Sequence, residues 1–153
     1  MSTRAISFLK KRKIAFEVVR YDHLEKGALF AAQAIGFELA RIIKTLVVTT
    51  ESGSFALALV PGSGQLSLKR MARAMGVKQV AMVDTPEAER QSGYKVGGIS
   101  PFATQRRMPV VMDAELLCYD RVAINAGQRG VMLVMAPGDI QQALGAATAS
   151  LTA

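Results

Sequence analysis

Two β-rich runs, residues 42–50 and 55–60, flank the polar stretch Glu51-Ser52-Gly53-Ser54, and no other feature constrains the fold as strongly. Branched aliphatics and threonines on both sides of a short Gly/Ser turn predict an antiparallel hairpin. A lone hairpin buries too little to be stable, so other elements must cover it. The rest of the chain supplies them. Strand patterns recur at 16–21, 77–83, 108–113, 121–126 and 131–135. Helix patterns lie between: 3–13 behind a Ser2-Thr3 cap, an Ala-rich 28–35 stopped near Gly36, and a Ser67-capped run to Gly76. Two more open at Thr85-Pro86 and at Pro137-Gly138-Asp139, the last running toward Leu144. Strands outnumber helices and short turns join strand pairs. The expected fold is α+β (mixed α/β), one domain over 1–153, with a mixed, mostly antiparallel sheet. The uncharged tail from Ala146 is expected to fray.

Composition narrows the chemistry. One cysteine, Cys118, permits no internal disulfide, and one histidine, His23, nearly excludes an ordinary zinc site. Cys118 stands beside Leu116, Leu117 and Tyr119 and reads as a buried, inert thiol. A reducing, cytoplasmic compartment is the default. No apolar run reaches the roughly 18 residues of a membrane helix, and the basic Lys10–Lys13 cluster follows apolar residues, the wrong order for a secretory signal. The 19 Lys+Arg against 12 Asp+Glu give a net charge of +7, which favours a polyanionic partner. Lys69, Arg70, Arg73, Lys78, Arg106 and Arg107 can form a phosphate-binding face or an ordinary solvated surface.

Lys44 is the sole charge in Ile42-Ile43-Lys44-Thr45-Leu46-Val47-Val48. Strand alternation puts it on the face of Ile42, Leu46 and Val48, with Thr45 and Thr49 on the other. A lysine among aliphatics either snorkels at a strand end or sits in a pocket, and the pattern leaves both open. The second feature is Gly93-Tyr94-Lys95-Val96-Gly97-Gly98-Ile99-Ser100-Pro101-Phe102. Adjacent glycines leave backbone N–H groups unshielded, which suits a carbonyl oxygen, a carboxylate or a phosphate, or simply a turn. Asn125-Ala126-Gly127-Gln128-Arg129-Gly130 joins two strand patterns, as a hairpin turn would. His23 reads as a turn residue, and no carboxylate pair stands at a useful spacing.

Four stretches together carry a resemblance: Lys44-Thr45-Leu46-Val47, Gly64-Gln65-Leu66-Ser67-Leu68-Lys69, Gly93 to Phe102, and Gly127-Gln128-Arg129-Gly130. In this order, from about Ile6 to Leu144, the chain resembles the YbaK/EbsC family of free-standing aminoacyl-tRNA deacylases, related to the editing domain of bacterial prolyl-tRNA synthetase. The resemblance implies a curved sheet flanked by short helices, and release of a wrong amino acid, typically cysteine, from tRNA for proline, without metal or cofactor. It implies Lys44 as the essential lysine. Tyr21, Gly97, Gly98, Ile99, Ser100 and Gly127 are its expected substrate-binding residues. The implied partners are the tRNA acceptor end, with Arg106 and Arg107 as candidate tRNA contacts, and prolyl-tRNA synthetase. Two rival classes stay open: a non-catalytic module docking on tRNA or a synthetase, and a hydrolase of unrelated small esters.

Overall fold

The computed structural model describes residues 3–24 and 27–153. Helix α1 (Arg4–Lys11) starts where the Thr3 hydroxyl accepts the Ile6 N–H at 3.1 Å, and Lys10 and Lys11 in its last turn suit the negative end of the helix dipole. The Ser2 half of the expected cap lies outside the described residues. Strand β1 (Glu17–Arg20) and helix α2 (Ala28–Ile35) follow, the helix ending at left-handed Gly36. The hairpin is β2 (Ile43–Thr50) and β3 (Phe55–Pro61), closed by Thr50 N–H donating to Ser54 C=O at 2.8 Å. Helix α3 (Leu68–Met75) is capped by Ser67 and stopped by Gly76.

Strand β4 is shorter than the sequence pattern suggests, Val80–Met82 rather than 77–83. The reason is local. The Val77 N–H turns back to Ala72 C=O, and the N–H groups of Lys78 and Gln79 donate to the Glu51 carboxylate, so none is left for a ladder. Helix α4 (Thr85–Ser92) takes Asp84 as its cap, and β5 (Val110–Asp113), β6 (Val122–Gln128), β7 (Val131–Met135), α5 (Pro137–Leu144) and β8 (Ala147–Ala149) complete the order.

The strands form two sheets. One is antiparallel, order β1-β7-β6; the other is mixed, order β4-β2-β3-β5-β8, with β3, β5 and β8 parallel. A single parallel bridge, Ile42 to Ala123, ties β6 to the start of β2. Between the sheets lies the main core, with Leu9, Leu57, Leu59, Phe102, Met112, Leu116, Leu133 and Ile140 essentially inaccessible. Helix α3 covers the opposite face of the mixed sheet, packing Met71 and Ala72 on Val48, Ala58 and Val60.

Two expectations need correction. The tail does not fray: β8 pairs with β5, and Leu151 beyond it is fully buried. Its N–H and that of Thr152 donate to the buried Asp113 carboxylate at 3.0 and 3.1 Å, a partner 38 residues away. Cys118 is not buried: it ends the 3-10 turn Ala114–Cys118, in which Leu116 takes the inward position and leaves the thiol exposed. Among the described residues no helix is long and apolar enough to cross a membrane.

Candidate functional site

The site grows out of a gap beside β2. Gly62 N–H donates to Ile42 C=O and Thr50 N–H to Ser54 C=O, so the even residues of β2 aim their backbone groups at β3 and the odd ones aim away. On the far side β2 is met at its start by the Ile42–Ala123 bridge and at its end by β4, paired from Val48 to Thr50. Val47 C=O still takes the Val83 N–H at 3.4 Å. Between these attachments no described strand covers Lys44 to Leu46, and a cavity of about 650 Å³ opens there.

Its walls come from several elements. Beta-strand residues Ile43 to Val47 form one side, Ala28 and Ala31 of α2 a second, Thr85 and Ala88 of α4 a third. Val96, Gly97 and Ile99 from the glycine loop, with Asn125, Arg129 and Met132 from the β6–β7 hairpin, complete it. Tyr21 and His23 stand at one side. The described lining residues include lysine, arginine and histidine but no carboxylate, so the cavity favours groups carrying negative charge.

Lys44 is half-buried, and its Nζ donates to Gly64 C=O at 2.6 Å. Burial holds its ammonium pKa below the usual lysine range. Next to it, the Thr45 hydroxyl oxygen is buried without a hydrogen-bond partner. A buried hydroxyl left alone is costly, and strand alternation turns this one to the face opposite Lys44. Tyr21 is braced by its N–H to Gly130 C=O at 2.9 Å, and burial raises its phenol pKa against an opposing Gly130 backbone hydrogen bond.

The glycine loop is held by polar contacts with its neighbours. Arg129 Nε donates to Val96 C=O at 2.8 Å and Asn125 Nδ2 to Gly97 C=O at 3.1 Å. Beneath it, Tyr94 is buried, donating its hydroxyl to Phe102 C=O, with the Arg4 guanidinium 4.6 Å over its ring. Burial raises the Tyr94 phenol pKa, against Arg4.

Of the residues expected in the pocket, Lys44, Tyr21, Gly97 and Ile99 do line it. Gly98, Ser100 and Gly127 stand behind its wall. The Gly98 N–H is taken by Lys95 C=O at 2.8 Å and is not a free donor. Ser100 is buried, its Oγ accepting the Phe102 N–H at 3.2 Å, and Gly127 lies against the Tyr94 ring. Arg106 and Arg107 are exposed beyond the C-terminal end of α4, where Arg106 N–H meets Gln91 C=O. Thr45, Asn125 and Arg129 escaped sequence reasoning. Asn125 carried a local signal: an Asn two residues before Gly127, whose Oδ1 accepts the Gly127 and Gln128 N–H groups.

Known proteins share the sequence pattern and the fold. The model of the aminoacyl-tRNA editing domain matches residues 26–143. A protein of Enterococcus faecalis named "Putative Cys-tRNA(Pro)/Cys-tRNA(Cys) deacylase EbsC" is 31% identical over 139 residues, 88% of this chain and 84% of that protein. A proline–tRNA ligase of Xanthomonas oryzae pv. oryzae is 30% identical over 103 residues, 67% of this chain and 18% of the ligase. Among solved structures, a "putative trans-editing enzyme for prolyl tRNA synthetase" superimposes with a TM-score of 0.89 at 28% identity, covering 100% of this chain and 99% of that one. A hypothetical protein at 24% identity shares the fold, with a TM-score of 0.92 over 99% of this chain and 100% of its own. Matched across most of its length by sequence and throughout by fold, the chain belongs to the aminoacyl-tRNA editing domain family.

Proposed function

We propose that the chain is a trans-editing deacylase that releases cysteine from mischarged Cys-tRNA(Pro). One observation carries the reading: a half-buried lysine in the uncovered gap of β2, at a cavity whose described walls hold no carboxylate. An aminoacyl ester is already activated, so a site that orients it needs no strong protein nucleophile. The Lys44 ammonium faces negative charge developing on the ester carbonyl oxygen. Gly97, Ile99 and Tyr21 contact the aminoacyl end, and Gly98, Ser100 and Gly127 hold the wall that positions it. The terminal adenosine enters with its phosphate toward the cationic side of the cavity. Arg106 and Arg107 extend the contact to acceptor-stem phosphates from beyond the C-terminal end of α4, whose Thr85 and Ala88 line the cavity. The names of the relatives support tRNA(Pro) as the carrier and prolyl-tRNA synthetase as a partner.

With cysteine the substrate's thiol does the work. Its sulfur attacks the carbonyl carbon, the bond from that carbon to the ribose oxygen breaks, and the ribose oxygen takes the proton the thiol gives up. Cysteine leaves as a thiolactone, which water then opens. Cys118, exposed at the end of its turn and outside the cavity lining, supplies nothing to this step. The test compares cysteinyl- and alanyl-tRNA(Pro) in single turnover with trapping of the thiolactone. The expected outcome is fast release of cysteine with thiolactone, slow release of alanine, and wild-type rates in Cys118→Ala. Equal release of alanine without thiolactone would replace the substrate thiol by a positioned water.

Thr45 supplies a separate expectation. Thr45→Val keeps shape and removes a buried hydroxyl that has no partner, so the thermal midpoint should hold or rise. Thermal unfolding of the variant checks this, and a lowered midpoint would contradict it.

A further inference from the structure

We propose that the segment 147–153 positions Lys44 by fixing the Gly64 carbonyl that its ammonium grips. This goes beyond the proposed deacylation and rests on it only for the importance of Lys44. The Lys44 Nζ to Gly64 contact, at 2.6 Å, is a charge-assisted hydrogen bond, and the turn carrying Gly64 therefore sets where the ammonium sits. Gly64 N–H donates to Pro61 C=O at the end of β3. Residues 65–67 are held by residues 151–153. Leu66 bridges to Thr152, Ser67 N–H donates to Leu151 C=O at 2.8 Å, and Ala153 N–H donates to Gln65 C=O at 3.1 Å. Arg70 ties the same segment from α3, with Nη1 at 2.8 Å from both Ser150 Oγ and Thr152 C=O.

The segment itself is anchored in the core. Leu151 is fully buried, β8 runs alongside β5, and Asp113 Oδ2 takes the N–H groups of Leu151 and Thr152 while Oδ1 takes that of Glu115. A line of contacts thus runs from Asp113 through residues 151–152 and the 64–67 turn to Lys44. Gly64 shows how close the fit is. A Cβ there would lie 2.6 Å from Thr152 Cγ2, although the backbone at Gly64 is not in the left-handed region. The glycine is required by its neighbour's side chain and not by its own backbone. Asp113 is a positioning residue, and it acts through the backbone of residues 151 and 152.

The test reads Lys44 directly in the full-length chain. Trace acetic anhydride labels free amines, and mass spectrometry compares Lys44 with exposed Lys69 and Lys78. In Gly64→Ala, Lys44 should label about threefold faster or more, because the carbonyl no longer holds its ammonium and more of the amine is free. Lys69 and Lys78 should not change. Adding Thr152→Gly removes the atoms the new methyl meets and should restore slow labelling. Unchanged labelling of Lys44 in folded Gly64→Ala, or acceleration that Thr152→Gly leaves in place, would overturn the proposal. If Gly64→Ala does not fold, Arg70→Gln gives the same reading by untying Ser150 and Thr152: faster labelling supports the proposal and unchanged labelling overturns it. Labelling needs no substrate, so an active Lys44→Ala variant would sink the deacylation reading without touching this one.

Discussion

Replacing Lys44 by alanine should slow release of cysteine from Cys-tRNA(Pro) by two to three orders of magnitude, roughly 3–4 kcal/mol, while the protein stays folded. The loss should fall on the single-turnover rate at saturating enzyme, because charge on the carbonyl oxygen develops only in the transition state. A loss confined to binding would instead assign Lys44 to a phosphate already charged in the ground state. The pH dependence has a definite sign. The ammonium is the acting form, and burial lowers its pKa, so activity should decline as pH rises through a value below the ordinary lysine range. Stability runs the other way. Between the folded and unfolded pKa values of Lys44 the unfolded chain holds the proton more tightly, so the cost of burying this charge fades as pH rises. Lys44→Met, which keeps the stem and drops the charge, should therefore be inactive and at least as stable.

Gly98→Ala should be a damaging change for a single methyl at the site. A Cβ at Gly98 would meet the Arg129 backbone nitrogen at 2.9 Å and Gln128 backbone carbons at 3.0 and 3.1 Å. No side chain can rotate away, so the glycine loop must lift off the β6–β7 hairpin. Overpacking of this kind costs about 1–3 kcal/mol. It also shifts Gly97 and Ile99, which line the cavity, so activity should fall further than stability. Gly138→Ala is the control. Nothing lies within 4 Å of a Cβ there, and alanine in the first turn of α5 should be neutral or mildly stabilising. Thermal unfolding and single-turnover assays on the two variants check both expectations; equal behaviour would contradict the close approach at Gly98.

Local signals made much of this fold legible. The β2–β3 hairpin, the caps at Thr3 and Ser67 and the glycine stops at Gly36 and Gly76 depend on residues a few positions apart, and each appears where the pattern puts it. Strand alternation likewise put Lys44 with Leu46 and Val48. What stayed hidden depends on distant partners. Nothing in Ala147-Thr148-Ala149 marks a strand, because its stability comes from β5 and from the Asp113 carboxylate. Cys118 looked buried among its apolar neighbours, yet a 3-10 turn sends Leu116 inward in its place. The glycines at 97 and 98 looked equivalent, and only the backbone of Arg129 separates a cavity wall from its support. Thr45 was invisible for a related reason: whether a hydroxyl on a strand finds a partner depends on the elements packed over it.

Whether this chain alone cleaves an aminoacyl ester on tRNA is read from the rate at which purified protein releases cysteine from Cys-tRNA(Pro), set beside spontaneous hydrolysis in buffer and beside Lys44→Ala. Release should be far faster than in buffer for the wild-type chain and near the buffer rate for Lys44→Ala. Tight tRNA binding with release no faster than in buffer would contradict this and make the chain a binding module.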